Sequence, residues 1–234
     1  MKKSMFISIL ILLFLISGCE TQESSSQSIE EKMIDKVKIL AVNDIKFKHL
    51  DITYSDYKSN IEGILVDWFP DLDDEVIFSS YDENGQLKEF KGIDLKGLSI
   101  DDLKAHKEKL KKDMQYNMTS FISNENVENT LKISDVYDPN VNDFRYVFTQ
   151  RITKFHDEKN TVDYVNKRYT LQKIDNEWKI INIEKSMTWY YDGLTVNGKD
   201  GEKAITLEEL IKMPKYTSYN NEEIEYIIEL DPLE

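Results

Sequence analysis

An α+β fold is what the sequence predicts, with helices in the first half of the chain and long antiparallel strands in the second. Three observations carry that expectation. Apolar residues recur at helical spacing through 29–40, 57–68 and 100–121. An Asn84-Gly85 pair separates two strand-like runs. From Leu131 to Trp189, apolar and polar residues alternate, with turn residues at Asp157–Asn160 and Asp175-Asn176. A period near 3.6 places one face of a helix against a core, whereas a period of two does the same for a strand.

In chain order, the first element is not part of the domain. Lys2 and Lys3 precede an apolar run, Met5–Ile16, broken only by Ser8. A membrane-spanning helix needs ~20 apolar residues, and this run is shorter and ends in small ones. The residues Ile16-Ser17-Gly18-Cys19 resemble the lipobox of bacterial lipoproteins. That resemblance implies a signal peptide over residues 1–18, cleavage before Cys19, and lipid on its sulfur. Each buried methylene of such a lipid is worth ~0.8 kcal/mol, so two chains or more hold a protein at a membrane. The expected location is the extracytoplasmic face of the cell membrane. Cys19 is the single cysteine, so no disulfide can form within the chain and the exported domain depends on its own core. Residues 19–28 read as a tether, because Glu20–Ser28 contains no large apolar residue and such a segment stays extensible.

Structure is expected to begin at Ser28, where Ser28 and Glu31 match a capping box and Ile29, Met33, Val37 and Leu40 follow at helical spacing. A second helix is predicted from about Ser55 to Trp68, with Tyr57, Ile61, Ile64, Leu65 and Trp68 on one side and Pro70 limiting it. Val76–Tyr81 and Gln86–Lys91 flank Asp82-Glu83-Asn84-Gly85 and read as a hairpin, since Asn-Gly tolerates positive φ. A third, long helix starts at a Ser99 cap, with Asp101 and Asp102 in its first turn. Ile100, Leu103, Leu110, Met114 and Phe121 form its buried stripe, with Met118 beside it. A short strand near Leu131–Tyr137 then precedes three longer ones. In the first of these, Phe144, Tyr146, Phe148 and Ile152 alternate with polar residues, so one face is expected to pack. Thr161–Ile174 and Glu177–Trp189 complete the set.

This order resembles the NTF2-like (cystatin-like) cone, in which N-terminal helices and one long helix pack in a curved antiparallel sheet. The segment Tyr169–Glu184, YTLQKIDNEWKIINIE, is similar to the closing hairpin of such domains. The resemblance covers Ile29–Tyr191 and implies a domain over 29–191. Residues 192–234 depart from it. Gly193, Gly198 and Gly201 predict a loop, and Thr206 with Glu209 caps a short helix, Leu207–Met213, before Pro214. Ile224, Tyr226, Ile228 and Leu230 alternate with acids, as in an edge strand, a docked tail or an acidic disordered one.

The formal charge of −14 becomes two units more negative on export, because Lys2 and Lys3 are lost with no acid. Such a balance argues against nucleic acid, whose phosphates require Lys and Arg, and against lying flat on anionic lipid. The composition, rich in Lys, Ile and Asn, resembles that of AT-rich Gram-positive genomes.

No catalytic, metal or cofactor motif is present. His49, His106 and His156 lack ligand spacing. Asp71-Leu72-Asp73-Asp74 lacks the glycine and closing glutamate of a calcium loop. No nucleophile elbow or phosphate loop occurs. By resemblance alone, an NTF2-like pocket with a buried acid would draw on Tyr57, Asp67, Tyr146 and His156, set against the simpler reading of plain core. Trp189, Tyr190 and Tyr191 form an aromatic cluster at the end of the last strand, equally suited to a binding surface or to packing under the tail. The expectation is a non-catalytic binding or assembly module with an envelope protein or ligand as partner. The alternatives are a small-molecule or proton-transfer pocket, and an envelope immunity or exclusion lipoprotein.

Overall fold

The computed structural model describes residues 27–69, 75–81, 87–105, 127–141, 143–156, 160–190, 195–198, 201–204 and 215–234. The expected signal peptide, Cys19 and most of the expected tether lie outside these residues. Helix α1 (Ile29–Lys48) starts where the capping box predicts: the Ser28 hydroxyl accepts from the Glu31 amide at 3.0 Å, and the Glu31 carboxylate accepts from the Ser28 amide at 2.7 Å. Its buried stripe is Met33, Ile34, Val37, Leu40, Ala41 and Ile45. At the far end Leu50 takes φ 60°, and the Asp51 amide donates to the Lys46 carbonyl, which closes the last turn.

Helix α2 (Tyr54–Asn60) is capped by Thr53 and Asp56 and is shorter than the predicted helix to Trp68. Gly63 sits at φ 72°, outside the right-handed helical region. Beyond it the chain runs extended. The Ile180 amide donates to the Ile64 carbonyl at 3.0 Å, and the Val66 amide donates to the Ile180 carbonyl at 3.3 Å. These bonds to a strand far along the chain replace the helical ones. Ile64 and Val66 are thereby buried, while Trp68 is left 66% exposed.

Strands β1 (Glu75–Tyr81) and β2 (Leu87–Asp94) form the predicted antiparallel hairpin; its Asp82–Gly85 turn lies outside the described residues. Ser99 caps the third helix through Asp102 as expected, and residues 100–105 are helical with Leu103 buried. The remainder of the predicted helix, with Leu110, Met114, Met118 and Phe121, lies outside the described residues, as does Asp71–Asp74.

Five strands make the central antiparallel sheet: β3 (Val127–Tyr137), β4 (Phe144–Phe155), β5 (Val162–Ile174), β6 (Glu177–Tyr190) and β11 (Tyr226–Leu230), in the order β11-β3-β4-β5-β6. Strand β3 is longer than the sequence predicts. Asp175 and Asn176, at φ 48° and 67°, form the two-residue turn between β5 and β6. Ile224 is buried and β11 pairs with β3, so the alternation at Ile224–Leu230 marks an edge strand of the same sheet. Two short hairpins intervene: β7 (Thr195–Gly198) with β8 (Gly201–Ala204), where a glycine loop was expected, and β9 (Ser218–Tyr219) with β10 (Glu222–Glu223). The predicted helix at Leu207–Met213 is outside the described residues.

Strand β4 packs on both faces, where its alternation predicts one. Val147, Thr149 and Thr153 are buried toward α1, and Phe148 is buried on the opposite side. On the helix face, Leu131, Ile133, Val147, Tyr169, Leu171 and Ile180 join the α1 stripe in one core. On the outer face, Tyr219 packs edge-on against Tyr137 and Tyr146 at 5.3 and 5.9 Å.

Candidate functional site

Toward its C-terminal end, α1 stands off the sheet and leaves a cavity of about 390 Å³. Two rows of the sheet form its floor. Register sets Leu131, Arg151, Val165 and Met187 side by side across β3–β6, and sets Thr149, Lys167 and Lys185 in the next row. The roof is one face of α1: Ala41, Asp44, Ile45 and Lys48, spaced three and four residues apart. Ala41 contributes only a methyl group, so the volume opposite it stays open.

The charges in this space are arranged around Asp44. Its Oδ2 accepts from Lys48 Nζ at 2.8 Å and from Lys167 Nζ at 2.8 Å. Burial pushes the Asp44 carboxyl upward, but the Lys167 and Lys48 ammonium groups outweigh it and hold the group well below the usual carboxylate range. The two lysines respond differently. For Lys167, burial acts downward, yet Asp44 dominates and the net direction is up. For Lys48, burial again acts downward, Asp44 opposes it, and Lys167 and Arg151 add repulsion; the ammonium is pulled down to about 8. One carboxylate cannot fully compensate two cations, and Lys48 carries the deficit.

A second pair lies farther along the floor. Arg151 donates through Nη2 to Asp163 Oδ2 at 3.1 Å, both side chains largely buried. Burial raises the Asp163 carboxyl, and Arg151 opposes that rise only in part. Arg151 Nε is itself buried without a partner among the described residues. Beside the cavity, buried His49 faces Asn129, whose Nδ2 approaches His49 Nε2 at 3.4 Å and whose Oδ1 accepts from Thr153 Oγ1 at 2.8 Å.

The residues that sequence reasoning nominated for a pocket do not converge. Tyr57 is buried beneath α1, stacked on Phe47 at 5.4 Å, and does not line the cavity. Burial, reinforced by Asp44, pushes its phenol far upward and keeps it neutral. The Asp67 side chain is 98% exposed. Tyr146 lies on the outer face, where Arg168 stacks on it at 4.7 Å. His156 is half-exposed, 3.3 Å from Glu128. At the end of β6, Trp189 pairs with Asp163 and Tyr190 with Val162 along the backbone; Tyr190 is half-buried and Tyr191 lies outside the described residues.

The lining charges Asp44, Lys48, Arg151, Asp163, Lys167 and Lys185 are not among the residues that the sequence pattern singles out. A signal for two of them exists. Val37, Ala41 and Ile45 continue the apolar stripe of α1, and Asp44 and Lys48 interrupt it on the same side. Comparison of the chain with family models, with characterised proteins and with solved structures yields no match.

Proposed function

We propose that the protein is a lipid-anchored, extracytoplasmic domain of the NTF2-like class whose cavity under α1 holds a small molecule. The cavity itself carries this reading. Its volume falls in the range of small-molecule sites, roughly 300–1,000 Å³, and it combines apolar walls with a few convergent polar groups. A solid apolar core would have favoured a pure assembly module. The NTF2-like assignment draws on the element order and on a helix laid against one face of a sequentially paired antiparallel sheet. The anchor draws on Met5–Ile16 and the Ile16–Cys19 motif.

Asp44, the central charge of the cavity, is unsuited to act as a general base. A general base works best when its pKa lies near the working pH. Asp44 is held far below that by its two lysines, so it is built to stay ionised and paired.

Filling the cavity tests the reading. In Ala41→Phe the ring occupies the open volume under α1. Compounds that raise the Tm of the native protein in a small-molecule screen are expected to lose that effect in the variant, with the circular dichroism spectrum unchanged. Hits that persist in Ala41→Phe, or a native protein that no compound stabilises, overturn it. Anchoring is tested separately by Cys19→Ser, which is expected to move the protein from the membrane fraction to the soluble one.

A further inference from the structure

We infer that the ligand is a small organic anion, a carboxylate or phosphate monoester on a short apolar body, with its head toward Lys48 and Lys185 and its body against Leu131, Val165 and Met187. This deepens the ligand-binding reading above and rests on it.

The first argument is charge. The cavity is lined by Lys48, Arg151, Lys167 and Lys185 against Asp44 and Asp163, an excess of two positive groups, on a chain whose formal charge is −14. A walled recess of one sign concentrates its field, and here the sign opposes that of the molecule around it. Solubility does not require this reversal.

The second argument is pairing. Asp44 is used by Lys48 and Lys167 together, and Asp163 is used by Arg151. Lys185 makes no close ion pair among the described residues, although its charge acts on Asp163 from a distance. Register places it directly opposite Lys167 on the neighbouring strand, and like charges facing each other across a ladder are unfavourable. Both side chains nevertheless face the same cavity. An anionic head reached by Lys185 and Lys48 would supply the negative charge that the cluster lacks.

The third argument is the complementary lining. Leu131, Val165 and the half-exposed Met187 lie in the row next to the lysines, with Arg151, already paired to Asp163, between Leu131 and Val165. A ligand with one charged end and a short apolar end therefore matches the floor as register lays it out.

The test uses the full chain in nanodiscs, with empty nanodiscs as the blank. Isothermal titration is run with four probes that share one tail: butyrate, butyl phosphate, butylamine and butanol. The two anions are expected to bind about tenfold or more tighter than butanol, as one charge-assisted contact supplies, and butylamine more weakly than butanol. Lys185→Glu is expected to erase the anion preference, with Lys185→Arg restoring it. Lys185 is a surface-reaching side chain, so neither change threatens folding. Equal binding of all four probes, or preference for the amine, overturns the anion inference while the cavity reading stands. Absence of binding by every probe, in a native protein that the compound screen also fails to stabilise, overturns both. Preference for only one of the two anions supports the inference and separates carboxylate from phosphate.

Discussion

The two faces of the five-stranded sheet are buried by different means. On the outer face the cover comes from late in the chain and the contacts are aromatic. Tyr219 meets Tyr137, Tyr146 and Phe148, and Arg168 is sandwiched between Tyr146 and Tyr216 while pairing with Glu184. Little space is left there, and each ring stabilises by area and edge geometry. On the helix face the apolar half, around Ile133, Leu171 and Ile180, is equally closed. The other half holds a cavity and ionised groups, among which Lys48 and Asp163 have their desolvation only partly offset. The proposed site lies in that open half, and the outer face contributes none of its lining residues.

Removing the central charge is the sharpest way to break that contrast. Asp44→Asn leaves two facing ammonium groups uncompensated. We expect a loss of about 2 kcal/mol, below the figure for a fully buried pair because the cavity side of the cluster meets water. Urea unfolding would measure it, and anion affinity should rise in the same variant. The native Asp44 carboxyl lies below its ordinary value near 4, so its contribution is complete above that pH and is lost as pH falls through the folded value. The gap between native and variant stability should therefore shrink in acid.

Tyr219→Ala on the outer face is the control. It should cost about 2 kcal/mol from lost area and ring contacts, yet leave probe affinity in the cavity unchanged by titration calorimetry. A change in affinity there would dissolve the distinction between the two faces.

A smaller effect should appear with pH. Lys48 is drawn down to about 8 by burial and by Lys167 and Arg151, against Asp44; Asp163 and Lys185 also face the cavity. Because the protonated amine is the form that attracts an anion, butyrate affinity should fall as pH rises through about 8. Lys48→Met should flatten that profile. The smallest expected change is in Lys185→Met, which removes the like-charge facing of Lys167 and should raise stability by about 0.3 kcal/mol, visible as a slight increase in urea midpoint. A stability loss instead would mean that Lys185 serves the scaffold.

What the sequence made legible was local. The Ser28–Glu31 and Ser99–Asp102 caps, the Asp175-Asn176 turn and the strands β4 to β6 depend on near neighbours and fell where the pattern placed them. The end of α2 did not, because its cause is a pair of hydrogen bonds to Ile180, more than a hundred residues away. The site was hidden for a related reason. Thr149 and Arg151 occupy the polar parity of β4, which by itself reads as the solvent side. Only the covering of both faces, one by α1 and one by Tyr216 and Tyr219, turns that parity inward. Aromatic and acidic residues at Tyr57, Asp67, Tyr146 and His156 drew attention for their chemistry, but chemistry without register could not say which wall each one joined.

The pairing of β11 with β3 also governs how the protein is made. Residues 226–230 bond to residues 131–134, so that ladder cannot form until nearly a hundred further residues have been synthesised. Ladders joining such distant segments form slowly. A nascent chain halted before Tyr226 would present the bare rim of β3 to its neighbours, an invitation to clump that the finished molecule withdraws.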